Sequence, residues 1–219
     1  MKRFPSVAKP LRAACAVSRE VEGWLPPSNA LVPLLGLVLL VSGCTTTSQV
    51  STRYYDVSGS TSQELDREIR RKGPRGGKAI ATAGIDIRSV DLEPSVSGGL
   101  CRFRRVTFRV SAAITLPQWR EATSSRDAEL RRLWSGFSAY ARAHEEAHVK
   151  IAEAFARAIE GSFLAIPPQP SCARLEAIAL QRLRRAATLH EQVQLAFDAR
   201  EQRRFAQIAA AAQAARARR

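Results

Sequence analysis

The sequence contains little histidine, sulfur or aromatic side chain. Its 219 residues include three His, four Cys and one Met, and aromatic residues make up 6%. It has no C-x-x-C pair, the usual thiol signature of structural zinc sites. It has no series of long apolar segments either, so a multi-span membrane protein is excluded. With 45% hydrophobic and 25% charged residues, the composition is that of a globular protein, long enough for one fair-sized domain or two small ones.

The one uncharged apolar run, Ala30–Val41, follows a basic opening segment with five Lys or Arg among the first 19 residues. Such a run is short for a membrane span but typical of a signal peptide. It leads through small residues to Cys44, which resembles the lipobox of bacterial lipoproteins. We therefore predict a signal peptide over residues 1–43, lipidation of Cys44 and, since Thr45 is not Asp, a periplasm-facing outer-membrane location. The alternative is an ordinary secretory signal with an incidental Cys.

Charge is strongly one-sided, with 34 Lys and Arg against 20 Asp and Glu and a formal net charge of +14. Removing residues 1–43 would remove five basic and two acidic residues and leave +11. Basic proteins often bind nucleic acid, but export argues against such a partner. We expect anionic lipid or cell-wall polymers instead, or a solvated basic surface with no specific partner.

Two cysteines, Cys101 and Cys172, remain after Cys44. In an oxidising periplasm they predict one disulfide. It would close a loop of about 70 residues and contribute roughly 4 kcal/mol by the chain-entropy model. A reactive or metal-bound cysteine is the alternative.

The remaining patterns predict an α+β domain with a small antiparallel sheet packed against long helices. Period-two alternation over residues 106–116 predicts its clearest strand, paired with a strand in residues 78–90 through Gly98-Gly99. Apolar residues at a helical period predict a long helix from Gln118 or Asp127 to Gly161, and another from about Ser171. The predicted divisions are a signal peptide 1–43, a polar tether 44–51, a domain 52–208 and a disordered Ala/Arg-rich tail 209–219.

The long helix contains His144-Glu145-Glu146-Ala147-His148, an H-E-x-x-H motif. Residues i and i+4 lie above one another on a helix face, so the two imidazoles can bind one Zn²⁺. Glu145 points beside the metal, where it can act as the general base of a metalloprotease. The alternative is a solvated polar patch, although His144 and His148 share the apolar stripe of the helix and so face inward.

These residues resemble a bacterial family of secreted, predicted zinc-dependent proteases whose function is unassigned. The resemblance covers about Thr52 to Gln207 and implies a zincin-like active-site helix, a metallopeptidase-like fold and hydrolase activity. It is carried by the following segments: Tyr54 to Thr61, Ile114 to Pro117 with Trp119, Trp134, His144 to Ile151, and the two cysteines.

The chain departs from the family pattern near its end. There the family has a Tyr-Asp segment followed by a His-Gly pair, a plausible third metal ligand. Here the stretch is Phe197 to Arg204, and Arg203 stands where that His is expected. Because Arg cannot bind zinc, the candidates for the third ligand are His190, then Glu201 and Glu191.

The sequence thus predicts a lipid-anchored zinc metallopeptidase of the cell envelope that acts on peptide or protein substrates. The alternative is a catalytically inactive envelope lipoprotein that binds cell-wall or lipid anions. A nucleic-acid binder using the Arg-rich tail ranks last.

Overall fold

The computed structural model describes residues 47–217, so the predicted signal peptide 1–43 and the predicted lipidation site Cys44 lie outside the described residues. Three strands and four helical segments form an α+β domain, which confirms the predicted fold class. In chain order they are β1 (Thr47–Val57), α1 (Ser62–Lys72), α2 (Pro74–Gly77), β2 (Thr82–Ser97), β3 (Leu100–Trp119), α3 (Ala128–Leu164) and α4 (Cys172–Ala217).

The strands form one sheet in the order β1-β3-β2. β2 and β3 pair antiparallel, as predicted. Gly98 and Gly99 make the turn between them with φ angles of 58° and 76°, a backbone region that favours glycine. β1 pairs with β3 in parallel, so the sheet is mixed rather than wholly antiparallel. The reason is that α1 and α2 carry the chain across to the far edge, where β2 starts at the end at which β1 stops.

Two bulges adjust which side chains face the helices. β2 shifts register at Val90, and β3 shifts at Arg104. Each extra residue moves the period-two alternation by one, so Phe103 and Val106 are both buried although three positions separate them. The buried face of β3 then consists of Cys101, Phe103, Val106, Phe108, Val110, Ala112, Ile114 and Leu116.

The main core lies between this face and the helices α3 and α4. Phe163 of α3 contacts Phe103 and Phe108, each with ring centroids 5.7 Å apart. Ala152 and Ala156 of α3 are fully buried. Small side chains at these positions let the helix approach the sheet and α4 closely.

The disulfide Cys101–Cys172 is formed, as predicted. It joins the start of β3 to the start of α4 and closes a sequence separation of 71 residues. Next to it, Cys101 and Gln169 exchange two backbone hydrogen bonds of 2.7 Å. The bridge therefore holds the loop between α3 and α4 against the sheet.

The ends of the domain differ from the predicted divisions. β1 begins at Thr47, so residues 47–51 of the predicted tether 44–51 belong to a strand that pairs with β3. α4 continues to Ala217, into the predicted tail 209–219, because Ala and Arg are strong helix formers. Among residues 47–217, no helix has both the length and the apolar character needed to span a membrane.

Candidate metal centre

Two histidines of α3 define the site. The helix begins where Asp127 caps it, its carboxylate accepting a 2.9 Å hydrogen bond from the Leu130 amide. The chain stays helical through Leu164, so the predicted i, i+4 relation of His144 and His148 holds. Their Nε2 atoms lie 3.2 Å apart and face the same point.

Asp198 of α4 completes the group. Its Oδ1 lies 3.3 Å from His144 Nε2 and 3.0 Å from His148 Nε2. In a tetrahedral zinc site with bonds of about 2.0–2.1 Å, the ligand atoms are about 3.3 Å from one another. The three atoms already have nearly this spacing, so His144, His148 and Asp198 could together hold a metal ion.

The predicted third ligands are placed elsewhere. His190 is 1% exposed and packs against the ring of Phe155, 5.0 Å away. It precedes Asp198 by eight residues, about 12 Å along α4. Glu201 accepts a 3.1 Å hydrogen bond from Tyr140. Neither of them belongs to the candidate metal-binding group found among the described residues, in which the third member is Asp198. Glu191 is exposed and is also outside the group.

Gln194, one turn before Asp198 on α4, fixes the ring of His148. Its amide nitrogen donates to the His148 carbonyl oxygen at 3.1 Å, and its amide oxygen accepts from His148 Nδ1. Because the amide oxygen of Gln194 only accepts, Nδ1 carries a proton, and Nε2 is the atom of His148 left for a metal ion or, without an ion, for a proton shared with Asp198. Supporting hydrogen bonds of this kind are usual around metal-binding histidines.

The ring of His144 is held by aromatic side chains. It lies 4.9 Å from the ring of Phe197 and 6.2 Å from that of Tyr140. Its Nδ1 is buried without a hydrogen-bond partner among the described residues. The polar atom that His144 directs at its surroundings is therefore Nε2, which faces Asp198.

Electrostatics favour a bound cation. Burial opposes the ionisation of Asp198, but its hydrogen bonds to His144 and His148 outweigh burial and lower the pKa of this carboxyl group. Burial likewise acts to lower the pKa of His148, yet the hydrogen bonds to Asp198 and Gln194 raise it overall. The cluster thus contains an ionised carboxylate beside two imidazoles, and its negative charge would attract a cation.

Glu145 lies beside the group and is 6% exposed. Burial raises the pKa of its carboxyl group, and Asp198 adds to the rise, against the lowering effects of His148, His144 and a backbone hydrogen bond with Ala83. A carboxylate with a raised pKa is a better proton acceptor. The position and the pKa direction both suit the predicted general base.

The group opens into a cleft with a volume of about 360 Å³. One wall is the stretch Ala81 to Ile85, whose consecutive residues all line the cleft. β2 is an edge strand of the three-stranded sheet, and the backbone of Ala83 hydrogen-bonds Glu145, so this strand lies directly beside the candidate metal centre. Gln194 and Asp198 of α4 line the opposite side.

The fold and the site together define an α+β domain with a two-histidine, one-carboxylate cluster beside a buried glutamate. Residues 52–206 match the model of a family described as "Bacterial protein of unknown function (DUF922)", and the chain belongs to that family. No curated protein and no solved structure matches the chain.

Asp198 and Gln194 are the residues that sequence reasoning missed. A signal for them exists in the sequence, since His190, Gln194 and Asp198 recur every four residues, and the apolar Val193 and Phe197 each stand next to one of them. A polar stripe at this spacing on a partly buried helix indicates side chains that share one face and face a polar partner. That stripe faces the histidine pair of α3.

Proposed function

We propose that this protein is a zinc-dependent peptidase of the cell envelope, with His144, His148 and Asp198 as metal ligands. The observation that carries the proposal is the mutual spacing of the three ligand atoms, 3.0 to 3.3 Å, beside the buried Glu145. Two imidazoles and one carboxylate with an open position are a common ligand set of catalytic zinc. The same set also suits non-haem Fe(II), so metal analysis is part of the test.

Each side chain has a definite part in the proposed reaction. A bound zinc ion would lower the pKa of a water and polarise the carbonyl of the scissile peptide bond. Glu145 would take a proton from the attacking water and deliver it to the leaving amine. Gln194 would keep His148 in the tautomer that presents Nε2 to the metal. The apolar side chains around His144 and His148 would limit the access of other water molecules.

The edge of β2 supports a peptide as the substrate. A strand edge presents unpaired amide and carbonyl groups, and an extended peptide can add to it as a further strand. Residues Ala81 to Ile85 line the cleft directly beside Glu145 and the histidines. A peptide bound there would pass over the candidate metal position.

We extend the proposal to location and anchoring: Cys44 carries the lipid, and the domain faces the periplasm from the outer membrane. The support is the order of basic segment, apolar run and cysteine in the first 44 residues. In this location the substrates would be envelope peptides or proteins, and the net charge of +11 after cleavage would favour anionic surfaces over nucleic acid.

A catalytically inactive lipoprotein that binds cell-wall or lipid anions is the alternative. Two features favour it: Arg203 stands where the family has a histidine, and the protein is strongly basic. Asp198 supplies a carboxylate at the required distance from both histidines, so the missing histidine no longer argues against metal binding. The basic surface alone does not distinguish the two functions.

The experiment that tests the function combines metal analysis with a matched pair of variants. Purified protein should contain about one zinc per chain and cleave members of a peptide library, detected by mass spectrometry. Glu145→Gln should retain the zinc but lose activity by about 10²- to 10⁴-fold, the usual contribution of general base catalysis. Glu146→Gln, which alters the neighbouring and more exposed carboxylate, should stay near wild type. Cleavage by Glu145→Gln at the wild-type rate would contradict the mechanism.

A further inference from the structure

The cleft has a second lobe on the other side of His144 and Glu145, with a volume of about 570 Å³. The two lobes share Arg75, Ala81 and Asp198 as well as these two residues, so they lie side by side at the candidate metal position. We call this second cavity the side lobe. The side lobe lies next to the proposed reacting atoms, so it can receive the side chain of the substrate residue beside the scissile peptide bond.

The walls of the side lobe are mainly apolar. Phe137 and Tyr140 come from α3, Phe205 from α4 and Ile80 from the segment before β2. Ile80 is 47% exposed and Phe205 is 53% exposed, although both are large apolar residues. The polar atoms of Tyr140 and Glu201, which also line the lobe, are hydrogen-bonded to each other. A ligand side chain entering the lobe therefore meets apolar surface that would gain from being covered.

Arg75 stands where the two lobes meet. Its backbone has φ 55° and ψ 35°, and within residues 47–217 it is the one non-glycine residue with positive φ. An arginine in this conformation costs conformational energy that a glycine would avoid. Its guanidinium group forms no ion pair within the described part of the chain. Lys78 is a second cation along the side lobe.

We propose that the side lobe binds an apolar side chain of the peptide substrate and that Arg75 binds a carboxylate of the same substrate. This inference rests on the proposed peptidase function and specifies its substrate class. Arginine suits the role because its planar guanidinium group can form two parallel hydrogen bonds with one carboxylate. The carboxylate can belong to an acidic side chain or to the carboxyl terminus of a short peptide.

The test of the side lobe uses binding, which does not require turnover. Fluorescein-labelled hexapeptides that differ at one position, Phe, Leu, Ala or Ser, are titrated into zinc-loaded full-length Glu145→Gln protein and followed by anisotropy. The Phe and Leu peptides should bind at least about tenfold more tightly than the Ser peptide, the usual scale of discrimination by an apolar pocket. Adding Phe205→Ser or Ile80→Ser should remove most of this preference.

Leu195→Ser is the matched control, since Leu195 lies on the same helix as Phe205, is 51% exposed and does not line either lobe. It should preserve the preference for Phe and Leu. Equal binding of all four peptides, or a preference that survives both Phe205→Ser and Ile80→Ser, would overturn the assignment of the lobe.

Arg75 is tested with two substitutions. Arg75→Gly removes the guanidinium group and suits the positive φ, so the fold is preserved, while Arg75→Lys keeps the charge. Each protein is titrated with three peptides: one with a free carboxyl terminus, its carboxamide, and a carboxamide with an internal Glu. Wild type should bind at least one of the two carboxylates about tenfold more tightly than the plain carboxamide, and Arg75→Gly should lose this difference.

The pattern among the three peptides identifies the source of the carboxylate, and Arg75→Lys should retain part of the difference. Equal affinity for all three, or an unchanged difference in Arg75→Gly, would refute this role. Failure of the underlying function is distinguishable: selective binding without any cleavage by the wild-type protein would keep the lobe and reject the peptidase, whereas cleavage without apolar selectivity would do the reverse.

Discussion

Asp198 links the two longest helices through the candidate metal centre. The histidines are both on α3, but the carboxylate comes from α4. A bound ion would therefore connect α3 to α4 rather than bind to a single helix. Because of this bridge, the affinity for metal depends on how closely α4 packs against α3 as well as on the chemistry of the ligands.

Removing the charge of Asp198 tests whether this residue, rather than a neighbouring carboxylate, is the metal ligand. Asp198→Asn keeps the shape of the side chain but removes the anionic oxygen, so we expect zinc affinity to fall by at least about 100-fold, the upper range seen for supporting residues around metal ligands. Competition with a chromophoric chelator measures this. Glu201→Gln, one helical turn further on, should keep wild-type affinity. The reverse pattern, with loss in Glu201→Gln alone, would show that Glu201 is the ligand.

The proximity of the two histidines could be predicted because a local period determines it. His144 and His148 are four residues apart on one helix, so their proximity follows from the helix itself. The identity of a third ligand depends on the packing of α4, because the polar stripe of His190, Gln194 and Asp198 does not show which member lies level with the histidines of α3. The expected position, Arg203, lies five residues beyond Asp198, and the rotation of α4 about its axis decides which of these residues faces α3.

At the scale of elements, the short helical turn α2 shapes the entrance of the cleft. Its residues Pro74 and Arg75 line the metal-centre lobe. The amide of Gly77 donates a 2.8 Å hydrogen bond to the carbonyl of Gly73. Gly77 has φ 80°, and a Cβ atom built on it would lie 1.7 Å from the Arg70 carbonyl oxygen. The end of α1 and this turn are therefore in direct backbone contact.

Alanine substitutions at Gly76 and Gly77 separate the cost of a positive φ from the cost of a steric clash. Gly76 also has a positive φ, of 67°, but a Cβ atom there meets nothing within 4 Å. We expect Gly76→Ala to lower the free energy of unfolding by about 1–2 kcal/mol, the cost of a left-handed alanine. Gly77→Ala should cost clearly more, because backbone must also move. Urea denaturation of both variants measures the difference, and equal losses would mean that the contact with Arg70 relaxes freely.

Element prediction was accurate where alternation and turn residues are explicit. The β2–β3 hairpin follows from the period-two pattern and from Gly98-Gly99. The parallel pairing of β1 could not be predicted, because the sequence of a short strand does not specify which strand it pairs with or in which direction. The bulge at Arg104 was also unseen, since an extra residue inside a basic stretch does not disturb the apolar alternation on either side of it.

At the scale of the whole molecule, the disulfide and the candidate metal centre lie on different parts of α4. Cys172 is the first residue of the helix, and Asp198 follows 26 residues later, about 39 Å along the axis. The main core, with Phe163 and Leu175, lies toward the disulfide end. The half of α4 that carries Asp198 is therefore the half that would gain most from a bound ion.

The position of β1 determines how close the domain can be to a membrane. The strand begins at Thr47, three residues after the proposed lipid attachment at Cys44. Three residues span at most about 10 Å, so a lipidated protein would be held directly at the bilayer.

We expect the full-length protein, expressed in a Gram-negative host, to sediment with membranes and to require detergent for release. Cys44→Ala should move it to the soluble periplasmic fraction or leave it as an uncleaved precursor, and both are separated from the lipidated form by mass spectrometry. Cys15→Ala is the control, because it removes another thiol but keeps the basic residues, the apolar run and Cys44, and its product should remain on the membrane. A Cys44→Ala protein that is processed and still requires detergent would show that something other than a lipid on Cys44 anchors the domain.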